Sequence, residues 1–202
     1  MAVTDPLAFV ADYEAAFGSG VDNVEELGRQ LSAVSRWIEW RCGQQFARDA
    51  AAVARVFVGD GTPRLWLETN LGATPTAVAI DVNNDGSYAG AVAAGSLEPW
   101  PLNAAIGPEA RPWRALDLRP WATDYTSWPA GLRVRVTAVW GWPAVPEAVR
   151  QACVQLTAIL RIESPRATST VDELGRAIGM SSAASRIVDS LLEAYPRVPV
   201  VG

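Results

Sequence analysis

The sequence contains no histidine and no lysine, so all 17 of its cationic side chains are arginines. Histidine is the commonest general base, a common metal ligand and the usual partner of a catalytic serine or cysteine. No phosphate loop, G-x-S-x-G elbow or dinucleotide fingerprint is present. Acidic pairs such as Glu25 with Glu26 are not tied to a recognisable cleft. We therefore predict no catalytic residues, no metal site, no cofactor and no enzymatic activity.

Long apolar runs are also missing. No stretch of about 18 or more apolar residues exists, and no basic segment followed by an apolar one opens the chain. We therefore expect a protein that neither spans a membrane nor is secreted by a classical leader, and that is assembled in the cytoplasm. Cysteine is scarce, and Cys42 and Cys153 both fall on apolar helical stripes. This placement predicts two buried thiols rather than a disulfide.

Positive charge is in deficit and is dispersed. The net charge is −5, and the arginines occur singly, without the clusters or aromatic interleaving of a nucleic-acid surface. Residues 1–54 hold eight acidic residues and four arginines. We expect any acidic face to belong to this N-terminal part.

The N-terminal part has the pattern of two helices. A first helix is predicted over 5–17, with Asp5 as the candidate N-cap and Pro6 at the first helical position. Asp22 and Glu25 have capping-box spacing before an apolar stripe that predicts a long helix over 23–45.

The middle of the chain has the pattern of antiparallel strands. Turn residues at 59–62 and at 83–86 each lie between two strand-like segments and predict two hairpins, with a later strand at 132–140. Residues 99–129 hold six of the 14 prolines and four of the nine tryptophans, which predicts an irregular wrap pinned to the sheet by its indoles.

Two features of this block have a second interpretation. Asp81, Asn83 and Asp85 match the first half of a calcium loop, but Val92 stands where a bidentate glutamate is required, so we favour a turn. Exposed tryptophans could stack on sugar rings, although indoles that pin loops are commoner. The four tryptophans in question are Trp100, Trp113, Trp121 and Trp128.

Residues 133–163 are the most informative segment. Val134 and Val136 alternate with arginines as in a half-buried strand, and a corner follows at Gly141, Trp142 and Pro143. Pro146 then presets the first turn of an amphipathic helix over 146–162. A last helix is predicted over 182–195, and Pro196 ends it.

These patterns together predict an α+β fold. We expect a helical bundle, made of an N-terminal helix pair and two C-terminal helices, with an inserted antiparallel β-hairpin-rich block. The predicted division is 1–52 for the helix pair, 53–142 for the β block with its Trp/Pro-rich wrap, and 143–202 for the helices and tail that complete the bundle.

Three motifs resemble the head-to-tail connector (adaptor) proteins of long-tailed bacteriophages. VTAVWGWPAVPEAVRQA is similar to the family's "VxGWPAVPxxVRQA" corner, SRWIEWRCGQQF to its "ASRxIDxxTGRxF" helix end, and DVNNDGSY to its acidic, glycine-tipped turn. The three pieces that carry these motifs are the N-terminal helix pair, the hairpin-rich middle and the corner with its helix, and together they cover about two thirds of the chain. In that family the proteins form a ring, usually twelve-fold, under the portal of the filled capsid.

The resemblance implies a structural virion protein of the neck, between capsid and tail. Its implied partners are the portal protein and a head-closure or tail-proximal neck protein. Identical copies are the third implied partner, in a ring that by family precedent is a dodecamer. Genomic DNA is expected to pass through this ring without sequence-specific binding. A different neck ring, either head-closure or tail-terminator, remains an alternative. A tryptophan-rich surface binding module is another.

The C-terminal tail is the predicted contact with the portal. Its prolines keep it extended and its valines supply apolar surface that has no local partner, which suits docking along a strand edge or into a groove. By resemblance to adaptors, we expect the tail and the last helix to contact the portal, through residues that include Arg197, Val198, Pro199, Val200 and Val201. A frayed terminus without a partner is the alternative.

Overall fold

The computed structural model describes residues 6–20, 22–104, 106, 110–119, 121, 124–163, 190 and 192–195. The chain divides into two units. Unit 1 is formed by residues 1–47 and 145–199, and unit 2 by residues 48–144 and 200–202. The described part of unit 1 is helical, whereas that of unit 2 is built mainly from β-strands.

Unit 1 contains three α-helices in its described part: α1 (Val10–Phe17), α2 (Val24–Cys42) and α3 (Glu147–Glu163). α2 packs against α3, and α1 contacts both. The apolar stripes predicted on α2 and α3 are buried, except for Ile159, which is half-buried. Since burial of one large aliphatic side chain contributes roughly 1.5–3 kcal/mol, these stripes hold α2 and α3 together.

The first helix begins at Val10 rather than at residue 5. Leu7 is buried, and its N–H donates to Ser35 Oγ over 2.9 Å, which holds this stretch against α2. The Asp12 carboxylate accepts the N–H of Phe9 over 2.7 Å, so the helix is capped by a residue of its own first turn. The predicted cap, Asp5, lies outside the described residues.

The second helix is capped by Asn23 and not by Asp22. Asn23 has φ 64, in the left-handed region that asparagine tolerates better than most residues. Its Oδ1 accepts the N–H of Glu26 over 3.1 Å. The capping prediction was therefore wrong by one residue. The left-handed backbone conformation is at Asn23, and it is the Asn23 side chain that reaches the N–H of Glu26.

A buried polar contact joins α2 to α3. Ser35 Oγ donates to the carbonyl oxygen of Leu31 over 2.6 Å and lies 3.4 Å from Cys153 Sγ. Cys42 and Cys153 are both free and buried, which confirms their assignment to the core. Burial raises the pKa of Cys153 to about 12 and that of Cys42 to about 11, so both are neutral thiols at neutral pH.

Unit 2 contains two antiparallel sheets. Its strands are β1 (Val53–Val58), β2 (Arg64–Leu71), β3 (Ala77–Ile80), β4 (Gly90–Val92), β5 (Leu97–Trp100), β6 (Trp113–Leu118) and β7 (Arg133–Ala138), with a 3₁₀ turn at Ala94–Ser96. Sheet A has the order β1-β7-β3-β4, and sheet B has the order β2-β6-β5. Inward-facing residues of both sheets form one hydrophobic core, so unit 2 is a β-sandwich.

β7 is an interior strand of sheet A, and it is half-buried as its alternation predicts. Val134, Val136 and Ala138 are fully buried, whereas Arg133 and Arg135 on the other face are exposed. The predicted hairpin at 83–86 is also confirmed, because β3 and β4 pair directly around it. In this turn the buried Asp81 carboxylate accepts the N–H groups of Asp85 and Gly86 over 3.0 and 2.9 Å.

The hairpin predicted at 59–62 was wrong. β1 pairs with β7, and β2 pairs with β6, so the loop between β1 and β2 crosses from one sheet to the other. The N–H of Gly59 donates to Leu132 O over 2.9 Å, and a Cβ at Gly59 would collide with the carbonyl oxygen of Pro129. Packing against the segment before β7 therefore overrides the local turn signal.

The predicted fold class was also wrong. The described part is rich in β-structure, with seven strands in two antiparallel sheets and three α-helices, and it is not a helical bundle carrying an inserted block. One cause is β6, which lies inside the segment 99–129 predicted to be irregular and forms the centre of sheet B. Prolines flank β6 without interrupting it, so the composition of the whole segment concealed the strand.

The last predicted helix, over 182–195, lies largely outside the described residues. Tyr195 is buried, and its ring meets that of Phe46 edge-on at 5.5 Å between centroids. Within the described ranges, no helix is long and apolar enough to cross a membrane.

Candidate functional site

The predicted corner after β7 closes one end of the β-sandwich. Trp140 is fully buried, and its Nε1–H donates over 2.7 Å to the carbonyl oxygen of Val53, the first residue of β1. The N–H of Gly141 donates to Asn70 O over 2.8 Å, in β2. Because these two bonds reach strands of different sheets, the corner fastens sheet A to sheet B.

The corner needs glycine at two positions. Gly141 has φ 101, which residues with a side chain rarely adopt. A Cβ at Gly72 would lie 2.9 Å from the carbonyl oxygen of Gly141. Trp142 is buried and Pro143 is half-buried.

Pro146 begins the helical part of the motif, in unit 1. Its carbonyl oxygen accepts the N–H of Arg150 over 3.0 Å, and the first helical residue is Glu147. Pro146 therefore directly precedes α3, one position before the predicted place.

The outer surface of sheet B carries an arginine stacked on two indoles, a cluster that we call the aromatic face (Arg64, Trp66, Trp100 and Asp117). The strand register places Trp66 and Trp100 on either side of Ala115, with ring centroids 5.7 Å apart. The Arg64 guanidinium lies 5.5 and 4.4 Å from the two ring centroids. Its Nε and Nη2 each donate to Asp117 over 2.7 Å, and this bidentate bond raises the pKa of Arg64.

An ion pair and an open groove lie next to the aromatic face. Arg119 donates to Glu98 over 2.9 Å, and Trp121, which is 83% exposed, forms one wall of the adjoining open groove. Tryptophan and arginine are typical of the residues that dominate the binding energy of protein–protein interfaces. The Arg64 guanidinium also lies over the ring faces that a sugar would need, which disfavours carbohydrate stacking at Trp66 and Trp100.

The four tryptophans singled out in the sequence have different environments. Trp128 is fully buried and donates to Leu116 O over 3.1 Å, and Trp113 packs against the core. Trp100 belongs to the aromatic face, and Trp121 is exposed. Sequence reasoning missed Trp66, although the alternation Leu65-Trp66-Leu67 is a signal that its indole points outward.

The outer surface of sheet A has a different character, and we call it the basic face. Six of its nine residues are apolar, two are arginines and one is threonine, without any acidic residue. Its members are Ala54, Val56, Val58, Ala77, Ala79, Ala91, Arg133, Arg135 and Thr137. Val56 and Val58 are 52% and 63% exposed, and the Arg135 guanidinium lies 4.3 Å from the Tyr88 ring centroid.

The beginning of unit 1 has the opposite charge. Residues 6–28, which we call the acidic segment, contain five acidic residues and no arginine. Phe17 and Val24 in this segment are 55% and 52% exposed. Two of its carboxylates meet arginines from outside the segment, since Asp12 lies 3.8 Å from Arg150 and Glu26 lies 2.8 Å from Arg29.

Other predicted site features are not brought together. The portal-contact candidates Arg197, Val198, Pro199, Val200 and Val201 lie outside the described residues, so they stay a prediction. Among the residues that the structure describes, no group of three or more side chains is arranged to hold a metal ion.

Comparison with known proteins gives a relationship of fold. No family model matches the chain, and no curated protein matches it. Among solved structures, it resembles a chain in the neck of an empty GTA particle, a phage-like gene transfer agent, computed with C6 symmetry. The TM-score is 0.53 and the identity is 18%, over 100% of this chain and 95% of that chain. At this identity the similarity is one of fold.

Proposed function

We propose that this chain is a structural subunit of the neck of a phage-like virion, and specifically its head-to-tail adaptor. The observation that carries the proposal is the fold shared over the full length with a chain in the neck of a GTA particle. The similarity of the VTAVWGWPAVPEAVRQA corner to the phage adaptors supports the same assignment from the sequence.

In this role the chain forms a ring on the portal of the filled capsid, extends the DNA channel and offers a platform to the next neck protein. The role is structural and needs no enzymatic step. A net charge of −5 with dispersed arginines suits a channel that does not retain passing DNA. A twelve-membered ring contains a six-fold axis, so it is compatible with the C6 symmetry used for the GTA neck.

Another neck ring is the second candidate, because the fold similarity is to a neck and does not distinguish its rings. A head-closure protein would bind only after the adaptor is in place, and a tail terminator would bind to tails. These differences in binding order separate the candidates.

The test is co-sedimentation of the purified chain with three particles of its own virus: DNA-filled capsids that end at the portal, the same capsids carrying a bound adaptor, and isolated tails. We expect binding to the first particle. Deletion of residues 196–202 is expected to abolish this binding while the melting temperature stays within about 1 °C, since a terminal tail contributes little to the core. Binding to tails alone would contradict the adaptor role.

A further inference from the structure

The basic face is unusual for a sheet surface in contact with water. An antiparallel sheet that faces solvent normally alternates polar residues outward. The outward positions of β1, β3 and β4 are all alanine or valine, and Val56 and Val58 are more than half exposed. β1 is also an edge strand of sheet A, which is where sheets associate with other chains. These observations identify a surface suited to burial against a partner.

Charge indicates what the partner must offer. The polar residues of the basic face are Arg133, Arg135 and Thr137, all on β7, and no carboxylate lies on the same face. Arg135 is already held over the Tyr88 ring, so part of the entropy cost of ordering it on binding is removed. A complementary surface therefore combines carboxylates with exposed apolar side chains.

The acidic segment of this same chain has these properties. It carries five acidic residues and no arginine, and exposes Phe17 and Val24. Its carboxylates are Asp12, Glu14, Asp22, Glu25 and Glu26. A closed ring of identical subunits requires two different, mutually complementary surfaces on each copy. The basic face and the acidic segment are such a pair.

We propose that the basic face of one copy binds the acidic segment of the next copy, and that this head-to-tail contact joins neighbouring subunits. The inference rests on the proposed function to the extent that the ring requires such a contact. Burial of Val56 and Val58 contributes the apolar contact area, and the arginines orient the two copies and raise their association rate.

The first experiment is photo-crosslinking between copies. Benzoylphenylalanine replaces Val56 in one preparation, which is mixed with unmodified chain labelled with ¹⁵N, so that mass spectrometry separates crosslinks between copies from those within one copy. We expect crosslinks between copies that end in residues 6–28. Crosslinks that end mainly in another region, or that join Val56 to Val56, would overturn the proposal.

The second experiment uses charge reversal in two separate chains. Arg133→Glu/Arg135→Glu and Glu14→Arg/Glu25→Arg should each lower the crosslink yield by about tenfold alone, because like charges then face each other. An equimolar mixture of the two variants should restore the yield, because each reversed surface meets its complement. Arg36→Glu/Arg41→Glu, with the same charge change at exposed positions of α2, is the control and should keep the yield of the parent chain.

Circular dichroism of each variant establishes that it folds, and failure of the folded mixture to restore crosslinking overturns the proposal. The result is separable from that of the proposed function. If Val56 on assembled necks crosslinks to a different neck protein, the neck role stands and the copy-to-copy contact is wrong. If copies crosslink as expected but the chain does not bind capsids, the contact stands and the adaptor role is wrong.

Discussion

At the scale of the residue, Trp128 and Trp121 carry the same side chain in opposite environments. Trp128 is fully buried and donates to Leu116 O, whereas Trp121 is 83% exposed. We expect Trp128→Phe to lower the free energy of unfolding by roughly 2–3 kcal/mol, because it leaves a cavity and removes the hydrogen bond to Leu116 O. Urea unfolding followed by circular dichroism measures the change.

Trp121→Phe is the matched control for this substitution. It should change the free energy of unfolding by less than about 0.5 kcal/mol, as is usual for exposed positions. Equal losses in the two variants would mean that Trp121 is also buried in the folded protein.

At the scale of the element, two glycines should respond to alanine with opposite signs. Gly28 lies within α2 with open space around its missing Cβ, so Gly28→Ala should stabilise the protein by roughly 0.5–1 kcal/mol. Gly59 lies in the loop between the two sheets, where a Cβ collides with the backbone of Pro129. Gly59→Ala should destabilise it by roughly 1–3 kcal/mol.

Thermal unfolding of both variants beside the parent chain tests this pair. A neutral Gly59→Ala would show that the loop can move away from the segment before β7, and would count against the observed crossing between sheets. The sign of the Gly28 effect depends only on helix propensity and is independent of that loop.

At the scale of the whole molecule, we expect the isolated chain to be mainly monomeric. Its apolar helical stripes and its sandwich core are buried within the chain, so we expect contacts with neighbouring copies to be individually weak. A template such as the portal raises the effective concentration of neighbouring copies. Sedimentation velocity should give a species near 21.6 kDa at micromolar concentration. A stable dodecamer without the portal would contradict this expectation.

The sequence by itself determined the local elements with the strongest periodicity. The stripe of α2, the stripe of α3 and the alternation of β7 were all read correctly, because each reflects which side of one element faces a core. The turn at 83–86 was also predicted, because the two strands that flank it pair with each other. The buried state of Cys42 and Cys153 followed from their places on the stripes.

Only the tertiary structure decided which strands share a sheet. The turn signals at 59–62 and at 83–86 look alike, but only the second joins two strands that pair with each other. β1 pairs with β7 and β2 pairs with β6, so β1 and β2 belong to different sheets. The tertiary structure also decided that Trp128 lies in the core, whereas Trp66 lies on the surface under Arg64. It decided as well that the corner at Gly141 joins the two sheets. These outcomes depend on contacts between residues far apart in sequence, which local hydrophobic patterns do not encode.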